Sequence, residues 1–452
     1  MLTVGIARTD LTPYWGVELT GWGYYMNRCW KSVHDSLKAT AVVVDDGASQ
    51  AVVIALDLMV IDEAFAARTR QQISKWIGLP AQSVLLTCSH THNAPAAGGL
   101  LGVGECDPFY EQWASHQAAT AAILAWQSRE PATLSVNTTR VSDLTYNRTR
   151  PGGVVDQTLT IAAFKRDDGS PLAILVNFGA HPTVTTELRP WAVSRDIPGK
   201  VCDYLEEHYP EAIAMYLQGA CGDVNFDRQF ATAQRWTEPA QRIASAAIDA
   251  INDAQQCDRP TVAFASDTAV LPTRRWTDLE IASDRDEAIR RLASDDTSGW
   301  REGFGKSMTN RPDDMVTRHG GDEAKAVRAM CRFHLQWTEL MMVDLHQRPE
   351  TLMTEVQAVR IGELIIVSNA AEFFSPFAID VRQRINSPHV MIACYANGRI
   401  GYLPDEYDID IRSYAGYQSP KYCNQFPFTA ESGPAMCEAM VGVSEKTLTL
   451  GN

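Results

Sequence analysis

Apolar positions in the first two-thirds of the chain switch repeatedly between strand-like and helix-like spacing. Ala39–Asp45 and Ala51–Leu56 are β-branched runs, and Asp46-Gly47-Ala48-Ser49-Gln50 between them reads as a hairpin turn. Ala64–Ile77 then adopts helical spacing through Phe65, Ile73, Trp76 and Ile77 and stops at Gly78 and Pro80. Ser83–Thr87 is again strand-like, and Tyr110–Trp126 is helical. Strands follow at Thr133–Val136, Thr158–Arg166 and Leu172–Gly179, then a helix near Val201–His208 and the strand Ile213–Leu217. This rhythm predicts an α/β fold of mixed sheets with flanking helices, with functional groups on loops at strand ends.

From about 274 to 348 the pattern changes. Asp278–Leu292 and Glu323–Leu345 carry helical spacing in a segment rich in Asp, Glu and Arg, and 293–319 between them is polar and glycine-containing. The segment reads as a helical insertion whose centre is either a solvated hairpin or a mobile lid. Thr354–Ile361 and Leu364–Ser368 return to strand pattern, followed by the helix Pro376–Ile385. Neither an internal repeat nor a linker-like tract interrupts the chain, so the expectation is one catalytic domain over 1–452.

Composition narrows the function classes. The chain is 45% hydrophobic and 21% charged, as globular proteins are, and its formal net charge is −15. That sign opposes phosphate backbones and anionic lipid headgroups, and no basic cluster offsets it, so nucleic acid is excluded as a partner. The longest apolar runs, such as Ala51–Leu56 and Leu364–Val367, fall far short of the ~20 residues of a membrane helix. The opening MLTVGIARTDLTPYWG lacks the features of a secretory signal. A cytoplasmic protein without stable membrane insertion is therefore expected. The ten cysteines form no CxxC pair and no regular spacing, which argues for buried free thiols; a local role stays open for Cys88 and Cys221, which flank the motifs below.

Two histidine motifs stand out. Thr87-Cys88-Ser89-His90-Thr91-His92-Asn93-Ala94-Pro95 follows a strand, and alternation along an extended chain would turn His90 and His92 to one side. Two converging imidazoles suit zinc, although an HxH pair alone does not specify it. The motif does not continue into the Asp-His of metallo-β-lactamases, and it lies too far into the chain for the first strand of an amidohydrolase barrel. Asn177-Phe178-Gly179-Ala180-His181-Pro182-Thr183 delivers His181 at the end of a second strand. Ser194-Arg195-Asp196-Ile197-Pro198-Gly199 and Gln218-Gly219-Ala220-Cys221-Gly222-Asp223-Val224-Asn225 follow, the latter with glycines that permit close backbone approach to a ligand. Gly98–Gly104 does not fit a dinucleotide-binding pattern. The aromatic group Tyr14, Trp15, Trp22, Tyr24, Tyr25 and Trp30 reads as core packing or as a pocket wall.

Taken in order, Asp10-Leu11-Thr12-Pro13, the Ser-His-Thr-His segment, Gly179-Ala180-His181-Pro182 and Gln218-Gly219-Ala220-Cys221-Gly222-Asp223-Val224 resemble the neutral ceramidase family. The resemblance implies a ceramidase-like catalytic domain and one Zn2+ per chain, bound by His90, His181, Glu372 in Ala370-Ala371-Glu372-Phe373, and Tyr402 in Ala396-Asn397-Gly398-Arg399-Ile400-Gly401-Tyr402. It further implies that His92, Arg148 and Tyr414 act at the reacting centre. Two departures stand out. Asn225 replaces a serine of the family's Gly-Asp-Val-Ser motif and can hydrogen-bond substrate but cannot act as a nucleophile; Asp196 joins it as a candidate substrate-binding residue. The immunoglobulin-like domain that follows the catalytic domain in ceramidases is not expected here.

The expected function is a zinc-dependent hydrolase cleaving an amide or related carbonyl bond with metal-activated water, on a small soluble molecule rather than ceramide. An ester or lactone hydrolase, a lyase on a sugar-like substrate, and a non-catalytic binding protein remain alternatives. The sequence leaves the oligomeric state open.

Overall fold

The computed structural model describes residues 2–258, 260–304 and 312–450. Three times along the chain the same succession recurs: two antiparallel strands, a third antiparallel strand, a helix, and a fourth strand parallel to the third. The first unit comprises Thr3–Asp10, Lys38–Asp45 and Gln50–Leu56, the helix Glu63–Ile77, then Val84–Cys88. The second comprises Thr133–Arg140, Thr158–Lys165 and Pro171–Phe178, the helix Asp196–His208, then Ile213–Gln218. The third comprises Val262–Pro272, Thr351–Ile361 and Leu364–Ser368, the helix Ser375–Arg384, then His389–Ala393. A further helix follows each fourth strand: Pro108–Gln127, Glu238–Asp253 and Ser432–Thr449.

The three sheets turn one face towards a shared core. Val4, Val42, Val53 and Leu85 of the first meet Leu134, Phe164, Leu175 and Met215 of the second and Val359, Ile366 and Met391 of the third. Helices cover the opposite faces: Phe65, Tyr110, Val381 and Met440 pack outside the first and third sheets, and Val201 and Ile243 outside the second. Strands buried on both faces explain why the sequence shows continuous apolar runs rather than alternation.

Parallel third and fourth strands end at the same edge of each sheet, so the loops after them gather in one place. Ligand sites in α/β sheets form at the carboxyl ends of strands for this reason. The connections between the first and second strands differ most between units, and all three reach the same region: 11–37, 141–157 and 273–350. The last is the expected insertion, with helices Asp278–Ser294, Pro312–Arg318 and Glu323–Met342. Thr277 and Glu280 form a capping box at the first, and the Asp322 carboxylate caps the last. Trp276, Trp300, Met330, Phe333 and Trp337 give it a core of its own, extended by Tyr24, Val103 and Tyr422 from elsewhere in the chain. Of the stretch read as a hairpin or lid, 305–311 lies outside the described residues. Among the described residues no helix is long and apolar enough to cross a membrane.

Candidate metal centre

His90 follows the fourth strand of the first unit, and its φ of 63° places it in the left-handed region. The two histidines therefore converge through a sharp turn after the strand, not through the side-chain alternation that the extended reading assumed. Two backbone bonds set the turn: the Ser89 N–H donates to Leu56 O at 2.8 Å and the His90 N–H to Leu58 O at 2.9 Å. Beneath the His90 ring lies Tyr395, stacked at 3.9 Å and 17°. His92 packs over Gly21, where a Cβ would lie 2.6 Å from the imidazole; only glycine fits at this contact, and its φ of 102° suits it. His181 follows the third strand of the second unit, its N–H donating to Val224 O at 2.9 Å.

The tautomers follow from the carbonyls around the rings. His90 Nδ1 lies 2.9 Å from Met59 O, His92 Nδ1 3.0 Å from Gly21 O, and His181 Nδ1 3.1 Å from Cys221 O. A carbonyl oxygen only accepts, so each Nδ1 is placed to donate and each ring turns its Nε2 towards the other two. Those Nε2 atoms form a triangle with sides of 3.2, 3.3 and 3.1 Å. Burial first, then neighbouring positive charges, holds His92 and His181 well below the usual imidazole pKa. Glu372 adds a fourth donor, its Oε2 lying 3.3 Å from His90 Nε2, buried and without a hydrogen-bond partner.

Lone pairs aimed at one another repel unless a cation lies between them. Two ligands each ~2.0–2.1 Å from one tetrahedral zinc are about 3.3 Å apart, which matches the nitrogen separations here. Carbonyls on the Nδ1 side fix ring orientation, as outer partners do in metal sites. His90, His92 and His181 form the one group of His, Cys, Asp or Glu ligands with metal-binding spacing among the described residues. His92, read from sequence as a catalytic pocket residue, thus stands as close as the two assigned ligands.

The expected Glu372, Tyr402, Arg148 and Tyr414 all gather here. Glu372–Phe373 and Tyr402–Leu403 pair as short parallel strands. Arg148 Nη2 donates to Tyr402 Oη at 2.6 Å, while Nε and Nη2 donate to Gly222 O at 3.1 and 2.9 Å. Burial keeps the Tyr402 hydroxyl well above the ordinary phenol range against the opposing pull of Arg148, so Tyr402 is a neutral phenol in this setting. The Tyr414 ring meets the Tyr402 ring edge-on at 5.6 Å. Asn225 lines the cleft beside His181, joined to it by a backbone bridge, and its buried Oδ1 has no hydrogen-bond partner.

Asp196 requires a correction. It is 1% exposed and lines neither cavity at the cluster; its carboxylate accepts from the Thr185 N–H at 2.7 Å, the Thr185 hydroxyl and the Ile197 N–H at 2.7 Å. Burial raises its pKa to about 6. It ties the loop after His181 to a helix start.

Three contributors went unread in the sequence. Tyr395, which supports His90, and the Met59 carbonyl carry no sequence signal. Asp223 does lie in a quoted motif: its carboxylate accepts from Ser375 N–H, Ser375 Oγ and Asn147 Nδ2 at 2.8, 3.0 and 3.0 Å, locking three site loops together. The aromatic segment divides, Tyr14 and Trp15 facing solvent while Trp22 and Tyr24 line the cleft.

No family model matches the sequence, and no curated protein does. Among solved structures, the chain is similar to the crystal structure of neutral ceramidase from Pseudomonas aeruginosa, with a TM-score of 0.72 and 15% identity over 98% of this chain and 74% of that one. A structure of ceramidase complexed with C2 matches with the same values. The chain has a ceramidase-like fold. At this identity the likeness concerns architecture: mixed sheets with flanking helices.

Proposed function

We propose that the chain is a metal-dependent hydrolase that cleaves an amide or related carbonyl bond in a small molecule and holds one zinc per chain. The observation that carries this is the convergence of three Nε2 atoms within 3.3 Å of one another, with the buried Glu372 Oε2 beside them. His90, His181 and Glu372 are the proposed core ligands, completed by His92 or Tyr402; the whole chain serves as one catalytic domain, with the helical segment as an insertion.

When bound, zinc supplies a Lewis acid that polarises a carbonyl and lowers the pKa of water towards ~7. The protein supplies the rest. Arg148, fixed by Gly222 O and the Tyr402 oxygen, holds positive charge where a carbonyl oxygen becomes anionic. Tyr414, a neutral phenol raised well above its usual pKa by burial, holds a proton it can deliver to the leaving group. The Asn225 amide orients substrate through the oxygen left without a partner. The cleft at the cluster has a volume of about 700 Å³, within the range for small-molecule sites.

A panel of short acyl amides and esters, assayed before and after chelator treatment, tests this reading. Turnover that disappears with chelator and returns with zinc is expected. Turnover indifferent to chelator, or none on any acyl compound by a zinc-loaded chain, contradicts it.

A further inference from the structure

Two cavities of unequal size meet at the histidines. The cleft of about 700 Å³ is lined on its charged side by Glu187, Arg228, Asp314, Arg318, Asp410 and Arg412. The other holds about 50 Å³ and lies against Met59, Val60, Leu100, Val103, Ala370 and the Tyr395 ring. His92, Tyr402, Tyr414 and Tyr422 belong to both linings. A substrate bond at the cluster therefore has a polar, roomy side and a smaller, mostly apolar side.

We propose that the substrate is a short-chain, acetyl-sized acyl derivative of a polar molecule, its acyl group seated in the small cavity and its charged or hydroxylated body in the cleft. This rests on the hydrolase reading above and specifies its substrate class. At about 50 Å³ against about 700 Å³ for the cleft, the small cavity suits an acetyl or propionyl group and not an octanoyl chain. The walls leave little room to expand. Gly23 closes on the Tyr422 hydroxyl, where a Cβ would approach to 2.3 Å, and Tyr422 is backed by Phe333 of the helical segment, ring to ring at 5.1 Å. The Val103 carbonyl is held by the Thr20 hydroxyl at 2.8 Å. A long alkyl chain turned the other way would desolvate charged groups of the cleft without pairing them.

In the reaction, water adds to the acyl carbon and the carbon–nitrogen or carbon–oxygen bond breaks. The acyl group leaves as a short carboxylate, and the proton from water goes to the departing amine or alcohol.

The test is calorimetric titration of the zinc-loaded chain, its metal content measured first, with acetohydroxamate, butyrohydroxamate and octanohydroxamate. Acetohydroxamate is expected to bind at least tenfold more tightly than octanohydroxamate. Val103→Ala should improve butyrohydroxamate binding at least fivefold while changing acetohydroxamate less than twofold; Leu100→Ala, at the half-buried rim, takes its place should Val103→Ala not fold. A zinc-loaded chain that binds octanohydroxamate as well as acetohydroxamate, or whose chain-length preference ignores these variants, overturns the proposal alone. A chain that takes up no zinc overturns the metal reading and this proposal with it.

Discussion

Around Lys421 a buried ammonium meets a buried carboxylate; around His90 buried lone pairs meet one another. The Lys421 ammonium lies 2.5 Å from Asp284 Oδ2 and is surrounded by the Trp276, Trp337 and Tyr417 rings at 5.5, 4.8 and 4.7 Å. An opposite charge and ring faces satisfy the ammonium without a ligand, and it joins the helical segment to the short helix Ser419–Tyr422. At the metal centre every Nδ1 proton is used by a carbonyl, and what remains points inward unmatched. Both clusters cost desolvation. The first is compensated within the chain, whereas the second is compensated only by a cation from outside. The same burial thus marks a structural joint in one place and a binding site in the other.

The sharpest way to break this contrast is to truncate a histidine. His90→Ala and His181→Ala should each reduce activity to background and metal content to a small fraction of an equivalent. Removing a ligand itself should exceed the ~10–100-fold loss seen when only an outer partner is changed. Circular dichroism should show the fold intact. His92→Ala sharpens the assignment: losses on the same scale, read by plasma emission, make it a ligand, whereas retained zinc with lost turnover makes it a pocket residue.

Lys421→Met should do the reverse. Stranding the Asp284 carboxylate is expected to cost about 3–5 kcal/mol in denaturant unfolding, with zinc stoichiometry unchanged in the folded protein. Coupled loss of metal and stability in this variant would erase the distinction between the clusters.

Within the metal centre, Glu372→Gln should also weaken zinc by more than the ~10–100-fold of an outer partner, because a proposed ligand loses its full charge. Tyr402→Phe should weaken it less than about tenfold, because a neutral phenol contributes little unless metal lowers its pKa from ~10. Competition with a fluorescent chelator ranks the two. Equal losses would show that Tyr402 binds as phenolate.

The smallest expected effect is a pH dependence at the structural joint. His334, stacked on Phe304 at 4.4 Å, is held at about 4 by burial first and by Lys421 second. A histidine depressed in the folded state contributes stability above the unfolded pKa near 6.5 and loses it as pH falls towards 4. Between pH 7 and 5 the wild type should lose about 2 kcal/mol more than His334→Gln. Asp57, Asp196 and Asp223, raised by burial to about 6, 6 and 7, act in the opposite sense, so the difference between the two proteins is the informative quantity. Parallel pH profiles would remove His334 from the account.

Much of this was legible in the chain. Runs buried on both faces announced the third strand of each unit and the fourth of the first two, whose ends delivered His90 and His181, while His389–Ala393 went unread. The threefold succession was not legible, because connections as different as 141–157 and 273–350 separate otherwise matching strands. First strands such as Val262–Pro272 were missed, since exposed Asp267 and Thr268 interrupt their pattern. Asp196 was misplaced because a motif reports that a carboxylate is present but not which way it faces. His92 was read as a pocket residue from the family resemblance, although the pairing of His90 and His92 had already turned both imidazoles to one side.

The central claim is that the cluster around His90 and His181 holds a metal. X-ray absorption at the zinc edge on dialysed, zinc-loaded protein tests it most directly, combined with stoichiometry on the same sample. The account predicts one zinc per chain with nitrogen and oxygen neighbours at ~2.0–2.1 Å and the scattering signature of at least two imidazoles. Zinc lost on dialysis, or retained with sulfur neighbours at ~2.3 Å, would contradict it.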